Sequence, residues 1–168
     1  MLVSNERNYG YMVQTVEMLL DLIEAISGEL GIRFEFMNMG GGLGIPYRPT
    51  DEPLDITALS AEVANLLERF KTKHGQVPKL YMESGRYISG PHGVLVVRAI
   101  NRKDIYRSHI GVDACMSALM RPAMYGAYHH ITVPRKLDQK TVGPVDVVGS
   151  LCENNDKFAI QRELPAIA

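Results

Sequence analysis

Cysteine is nearly missing from this chain: Cys115 and Cys152 are the two among 168 residues. So few thiols, in a chain long enough to bury a core, exclude a disulfide framework and point to a reducing, cytoplasmic setting. Net charge is missing as well, at −1, which excludes the strong field that recruits nucleic acid or anionic lipid. Long apolar runs are absent. Stretches such as Val94 to Val97 stop far short of a membrane span. The opening Met1-Leu2-Val3 meets Ser4-Asn5-Glu6-Arg7 at once, so no secretory leader is expected. Metal-ligand spacing is lacking too: adjacent His129 and His130 on a strand would point to opposite faces. Repeats and low-complexity tracts do not occur.

What is present is a globular composition, 46% apolar and 22% charged. Val13, Val16, Leu19, Leu20, Ile23 and Ile26 recur at helical spacing, which predicts a helix from about Tyr9 to Leu30 with Gly31 as its stop. Ile32 to Met39 reads as a strand. Pro46, Pro49 and Pro53 make the next stretch a connection. Asp55 caps a second helix that carries Ile56, Leu59, Val63, Leu66, Leu67 and Phe70 on one face and ends at Gly75. Lys79 to Glu83 is the next short strand. This alternation is the rhythm of a parallel α/β unit.

Beyond Gly90-Pro91 the texture changes. Val94 to Ile100, Ser108 to Asp113, Ile131 to Val133 and Val145 to Val148 read as strands without intervening helices, and Met116 to Tyr125 has room for a helical turn or two. They predict an antiparallel β region. The expected division is 1–90 for the α/β part and 91–168 for the β part, with the boundary near Ser89 to His92. Neither part is large enough to make a self-sufficient core.

Four motifs carry chemistry. Gly40-Gly41-Gly42-Leu43-Gly44 follows a strand, where amide N–H groups unshielded by Cβ atoms can converge on a phosphate, though such runs also make plain tight turns. Glu83-Ser84-Gly85-Arg86 places an acid and a guanidinium at the end of the next strand. A planar guanidinium suits a phosphate dianion, while the same residues also fit a capped strand end and a surface cation. Arg121 and Tyr125 are spaced to share a helix face, which an arginine packed beside a tyrosine would also satisfy. Cys152-Glu153 ends the series. A thiol with its ordinary pKa of about 8.5 can serve as a general acid, but cysteines such as Cys115 are more often inert core residues.

In this order, and across this change from α/β to β, the four motifs resemble those of the pyridoxal-phosphate-dependent decarboxylases with an alanine-racemase-like fold, in particular the diaminopimelate decarboxylases. The resemblance implies the C-terminal part of a TIM-like barrel followed by part of an antiparallel β domain. It implies pyridoxal 5'-phosphate as cofactor, with Gly41, Gly42, Gly44, Gly85 and Arg86 at the phosphate and Glu83 on the ring nitrogen. By the same likeness Arg121 and Tyr125 hold a substrate carboxylate, Glu153 holds the distal ammonium and Cys152 is the catalytic proton donor. The Cys152-Glu153 pair serves the neighbouring subunit's site, which implies a homodimer. Ser84 stands where the family usually has proline, which loosens the turn between Glu83 and Arg86.

One expected group is not in the sequence. The family's Schiff-base lysine sits on an early barrel strand, and Lys71, Lys73, Lys79, Lys103, Lys136, Lys140 and Lys157 all lie elsewhere: Lys79 begins its strand, the wrong end for a barrel site. The family's late tyrosine is absent too. The chain is therefore expected to be an internal fragment. It is either part of a decarboxylase giving L-lysine and CO2 from meso-2,6-diaminopimelate, inactive when isolated, or a truncated non-catalytic binding module. Carboxynorspermidine is the alternative substrate. Mixing the chain with pyridoxal phosphate should give no Schiff-base absorbance band, and a strong band on one of its lysines would contradict the missing-lysine reading.

Overall fold

The computed structural model describes residues 4–167. It divides into two compact units: the chain up to Pro46 with Thr50–Gly93, and Tyr47–Pro49 with the chain from Val94 onward.

In the first unit, helix α1 (Tyr9–Leu30) starts where the Asn8 side chain accepts the Gly10 N–H and stops at Gly31, whose φ of 67° and N–H to the Ser27 carbonyl close the last turn. Met12, Val16, Leu20 and Ile23 form its buried stripe, at helical spacing. Helix α2 (Ile56–His74) is capped by Asp55, which accepts the Ala58 N–H at 2.8 Å, and is closed by Gly75 at φ 74°. Leu59, with partly buried Val63, Leu66, Leu67 and Phe70, meets the α1 stripe and Met37, Met39, Leu43 and Leu54 in one apolar cluster.

Strands β1 (Phe36–Asn38) and β2 (Lys79–Tyr81) pair in parallel, Phe36 opposite Lys79 and Asn38 opposite Tyr81. The crossover between them is α2, as a parallel pair requires. A short helix α3 (Gly85–Ser89) follows β2 directly. The expected strand from Ile32 to Met39 shrinks to three residues, because only Phe36–Asn38 has a partner in β2. Phe36 and Tyr81 remain more than half exposed, their rings edge-on at 5.3 Å. Parallel sheets are normally covered on both faces, and these two rings leave part of this one uncovered.

The second unit is a four-stranded sheet in the order β3 (Ala99–Asp104), β4 (Ser108–Val112), β5 (Pro144–Val148) and β6 (Lys157–Glu163). The sheet is mixed, not antiparallel as expected: β3–β4 and β5–β6 are antiparallel, but β4 and β5 run parallel. The residues between β4 and β5, including helix α4 (Met120–Tyr125), make the long return that such a pairing needs. Ile110, Val112, Val145, Val147, Phe158, Ala159 and Leu164 build its core.

Two expected strands are corrected. Val94 to Val97 forms no strand; the ladder begins only at Ala99, where Val112 pairs with it, and Val94 and Val96 are 89% and 86% exposed. β-branched residues favour a strand only when neighbours pack against them. Ile131 to Val133 is not a strand either. Three residues ending at Pro134, which opens a single 3-10 turn, leave no room for a ladder. Conversely, β6 escaped prediction because Lys157, Gln161, Arg162 and Glu163 mask its apolar residues, and irregular pairing buries neighbours Phe158 and Ala159 together.

Met12 is fully buried at the centre of the first unit's cluster. Met12→Ala should destabilise that unit by about 2–5 kcal/mol, read as an earlier midpoint in urea unfolding followed by circular dichroism.

Candidate functional site

The glycine turn after β1 is fixed by three different constraints. Gly40 and Gly42 have φ of 78° and 103°, the left-handed region that side chains avoid. Gly41 has a steric reason: a Cβ there would come within 2.6 Å of the Glu83 carbonyl oxygen. The Glu83 N–H donates to the Gly40 carbonyl at 2.8 Å, extending the β1–β2 pairing past the strand ends. Asn38 completes the link, its amide donating to Glu83 Oε1 at 2.7 Å while its Oδ1 accepts the Gly40 N–H at 2.8 Å. One side chain thus orients both the acid and the loop. Sequence reasoning passed over Asn38; a bifunctional amide two residues before a glycine turn was the available signal.

Gly44 plays another part. Its N–H donates to the Glu6 carbonyl at 2.7 Å, and a Cβ would strike the 5–7 segment beside it. That amide is committed to the protein. Gly41 and Gly42 donate their N–H groups to no group among the described residues.

Gly42, Glu83, Ser84 and Arg86 line one cavity of about 100 Å³, together with Ser4, Asn5 and Leu43. The Ser84 hydroxyl is buried there without a hydrogen-bond partner among the described residues. A buried hydroxyl left unpaired costs on the order of 1–3 kcal/mol, and a bound acceptor would remove that cost. Gly85 adjoins this group in sequence but does not line the cavity. A wider depression, about 280 Å³, lies in the second unit around Arg107, Asp146 and Gln161. It contains none of the residues singled out from the sequence.

The remaining candidates belong to the second unit. Arg121 and Tyr125 both fall on α4. Arg121 donates from Nη1 to the Tyr47 hydroxyl at 2.7 Å, and Tyr47 in turn packs edge-on against His129. Tyr125 is 72% exposed. Nearby, the guanidiniums of Arg48 and Arg162 lie 3.9 and 4.0 Å from the Tyr128 ring centroid. Burial, with a smaller contribution from Arg48, lowers the pKa of Arg162. Cys152 and Glu153 are exposed in the connection between β5 and β6, while Cys115 is half-buried with its Sγ 3.0 Å from Ser117 Oγ. The glycine turn, Glu83 and Arg86 therefore lie in one unit, and Arg121, Tyr125, Cys152 and Glu153 in the other.

The sequence model of the family described as pyridoxal-dependent decarboxylase, C-terminal sheet domain, matches residues 11–168. The chain belongs to that family. Among curated relatives of this decarboxylase family, Protein TabA of Pseudomonas amygdali pv. tabaci is 50% identical over 166 residues, covering 99% of this chain and 39% of TabA. Diaminopimelate decarboxylase of Methanothermobacter thermautotrophicus is 42% identical over 153 residues, covering 90% of this chain and 36% of that protein. Among solved structures, diaminopimelate decarboxylase of M. jannaschii in complex with L-lysine superimposes with a TM-score of 0.84 at 31% identity, covering 98% of this chain and 37% of that one. The chain thus spans a little over a third of the length of these relatives.

The family's cofactor can be tested against the residues present. Gly42, whose amide is uncommitted, Arg86, the unpaired buried Ser84 hydroxyl and Glu83 line one cavity, with the uncommitted Gly41 amide next to it in sequence, a donor set that fits a phosphate with an acid beside it. Its volume is well below the roughly 300–1,000 Å³ of pockets that hold whole ligands of such size. It suits the phosphate end alone.

Gly41→Ala should force the loop away from Glu83 and cost about 1–3 kcal/mol. Gly85→Ala, with open space at its Cβ on the first helical residue of α3, should be neutral or slightly stabilising. Thermal unfolding of the two variants checks the contrast.

Proposed function

We propose that this chain is the segment of a pyridoxal-phosphate-dependent amino-acid decarboxylase that holds the cofactor's phosphate and ring nitrogen and the far end of the substrate, most directly meso-2,6-diaminopimelate, releasing CO2 and L-lysine. The observation that carries it is the single cavity shared by Gly42, Glu83, Ser84 and Arg86. By family likeness, 1–90 is part of a TIM-like barrel and 91–168 part of the β domain, and the Schiff-base lysine comes from elsewhere in the full-length protein. The isolated chain is then inactive.

When bound, the coenzyme supplies an electron sink for the pair left at Cα as CO2 departs. The protein's part is to bind and to place protons. The Gly41 and Gly42 amides, Arg86 and the Ser84 hydroxyl hold the phosphate dianion. Glu83, steadied by Asn38, keeps a proton on the ring nitrogen. Arg121 offers its guanidinium to the distal carboxylate with Tyr125 donating alongside, and Glu153 accepts hydrogen bonds from the distal ammonium. Cys152 Sγ–H delivers the proton that replaces CO2 at Cα. Exposure of the Cys152-Glu153 loop in this chain is what a residue pair completing a neighbouring subunit's site requires, so the enzyme is a homodimer in this reading.

The substrate assignment leans on the relatives named diaminopimelate decarboxylase. TabA, 50% identical, has a name that specifies no substrate, and the second reading keeps the same site for another diamino acid, such as carboxynorspermidine. Assaying the full-length protein with both substrates separates the two. Arg121→Ala should lower kcat/KM for the dicarboxylic substrate by at least ~30-fold, the effect of stripping about 2 kcal/mol or more from a buried charge pair. Steady-state CO2 release checks this, and unchanged turnover and affinity would overturn the carboxylate-binding role.

A further inference from the structure

Between β5 and β6 the chain exposes every residue from Ser150 to Asn155 and then buries Asp156, which is 3% exposed. The Asp156 carboxylate accepts the Leu151 N–H on Oδ2 at 2.7 Å and the Met116 N–H on Oδ1 at 2.5 Å. Its backbone joins in: the carbonyl accepts the Gly149 N–H at 2.8 Å, and its N–H donates to the Glu153 carbonyl at 3.1 Å. Cys152 therefore sits between two anchors of one residue, Leu151 held by the side chain and Glu153 held by the main chain. A second strap runs from the Ser150 N–H to the Ala114 carbonyl at 3.1 Å.

Met116 matters because it opens the approach to α4. The turns from the Ala118 N–H to the Cys115 carbonyl and from the Leu119 N–H to the Met116 carbonyl lead straight into that helix, which carries Arg121 and Tyr125. The two oxygens of one carboxylate thus reach the two segments that bear the substrate-end candidates. Gly149 makes the arrangement possible, since a Cβ on it would collide with that carboxylate. An amide cannot replace the acid here. In either orientation asparagine presents one NH2 to a backbone donor, leaving Leu151 or Met116 unpaired.

We infer that Asp156 is a positioning residue that sets the Cys152-Glu153 loop and the Arg121-Tyr125 helix in register, so that one buried carboxylate fixes both the proton donor and the substrate clamp. This inference rests on the roles proposed above for those four residues. Asp156 itself touches neither substrate nor cofactor.

The test is steady-state kinetics of the full-length protein carrying Asp156→Asn, beside a Val147→Ala control that loosens the same sheet core from a buried position in β5. Mere loss of folded protein lowers apparent kcat and leaves KM alone. Misplacing both segments should lower kcat about tenfold and raise KM at least fivefold, whereas Val147→Ala keeps its KM. Gly149→Ala, which crowds the carboxylate without removing it, should reproduce the KM rise and decides the matter if Asp156→Asn fails to fold. An unchanged KM in every folded variant of the pair overturns the inference. If Cys152→Ser and Arg121→Ala are themselves without kinetic effect, the site roles fail; if they impair turnover while the Asp156 and Gly149 variants track the control, the positioning role alone fails.

Discussion

The approach of the Gly41 backbone to the Glu83 carbonyl is the constraint on which the first unit's chemistry depends. Two parallel strands bring their C-terminal ends together, but side chains would hold those ends apart. With no Cβ at Gly41, the turn closes against β2, and the Gly40 carbonyl can accept the Glu83 N–H. Asn38 then ties the carboxylate into the same turn. The acid, the amides and Arg86 become neighbours because one atom is missing from one residue.

The second unit uses a related device. Gly149 leaves space for a buried carboxylate, and that carboxylate organises exposed residues at the tip of a β connection. In both places carboxyl or thiol groups proposed to meet cofactor or substrate, Glu83, Cys152 and Glu153, are exposed, while the groups that hold them are main-chain groups, a carboxamide or a buried acid. This division has a physical basis. Reactive groups must reach a ligand, whereas their supports hold geometry only if packing and hydrogen bonds lock them in place.

Much of the first unit was legible in the sequence because its signals are local. The α1 stripe follows helical spacing, Asp55 caps α2, and Gly31 and Gly75 stop their helices at the expected positions. Strand lengths were less legible, since a strand ends where its partner ends: nothing in Ile32 to Glu35 says that β2 is only three residues long. The mixed sheet was hidden for the same reason. Parallel pairing of β4 with β5 depends on the return path of residues far apart in sequence, and a β-branched run such as Val94 to Val97 looks like a strand whether or not a neighbour exists. The motif residues could be picked out by type and spacing. Their supports were harder to see: Asn38 had only its place two residues before the glycine turn to mark it, and Asp156, an acid in a loop, carries no mark of what it will bond.

The stack of Arg48 and Arg162 on Tyr128 shows that the two units are not consecutive along the chain. Tyr47–Pro49 lies far upstream in sequence, yet it joins the sheet unit, with Arg48 and Arg162 bracketing one ring and Tyr47 accepting from Arg121. The sheet unit is therefore assembled from discontinuous pieces, and its upstream piece is only three residues long. Excising it at Val94 would discard a tyrosine hydroxyl and one of the stacked cations, so a clean cut in the gene does not correspond to a clean cut in the folded molecule.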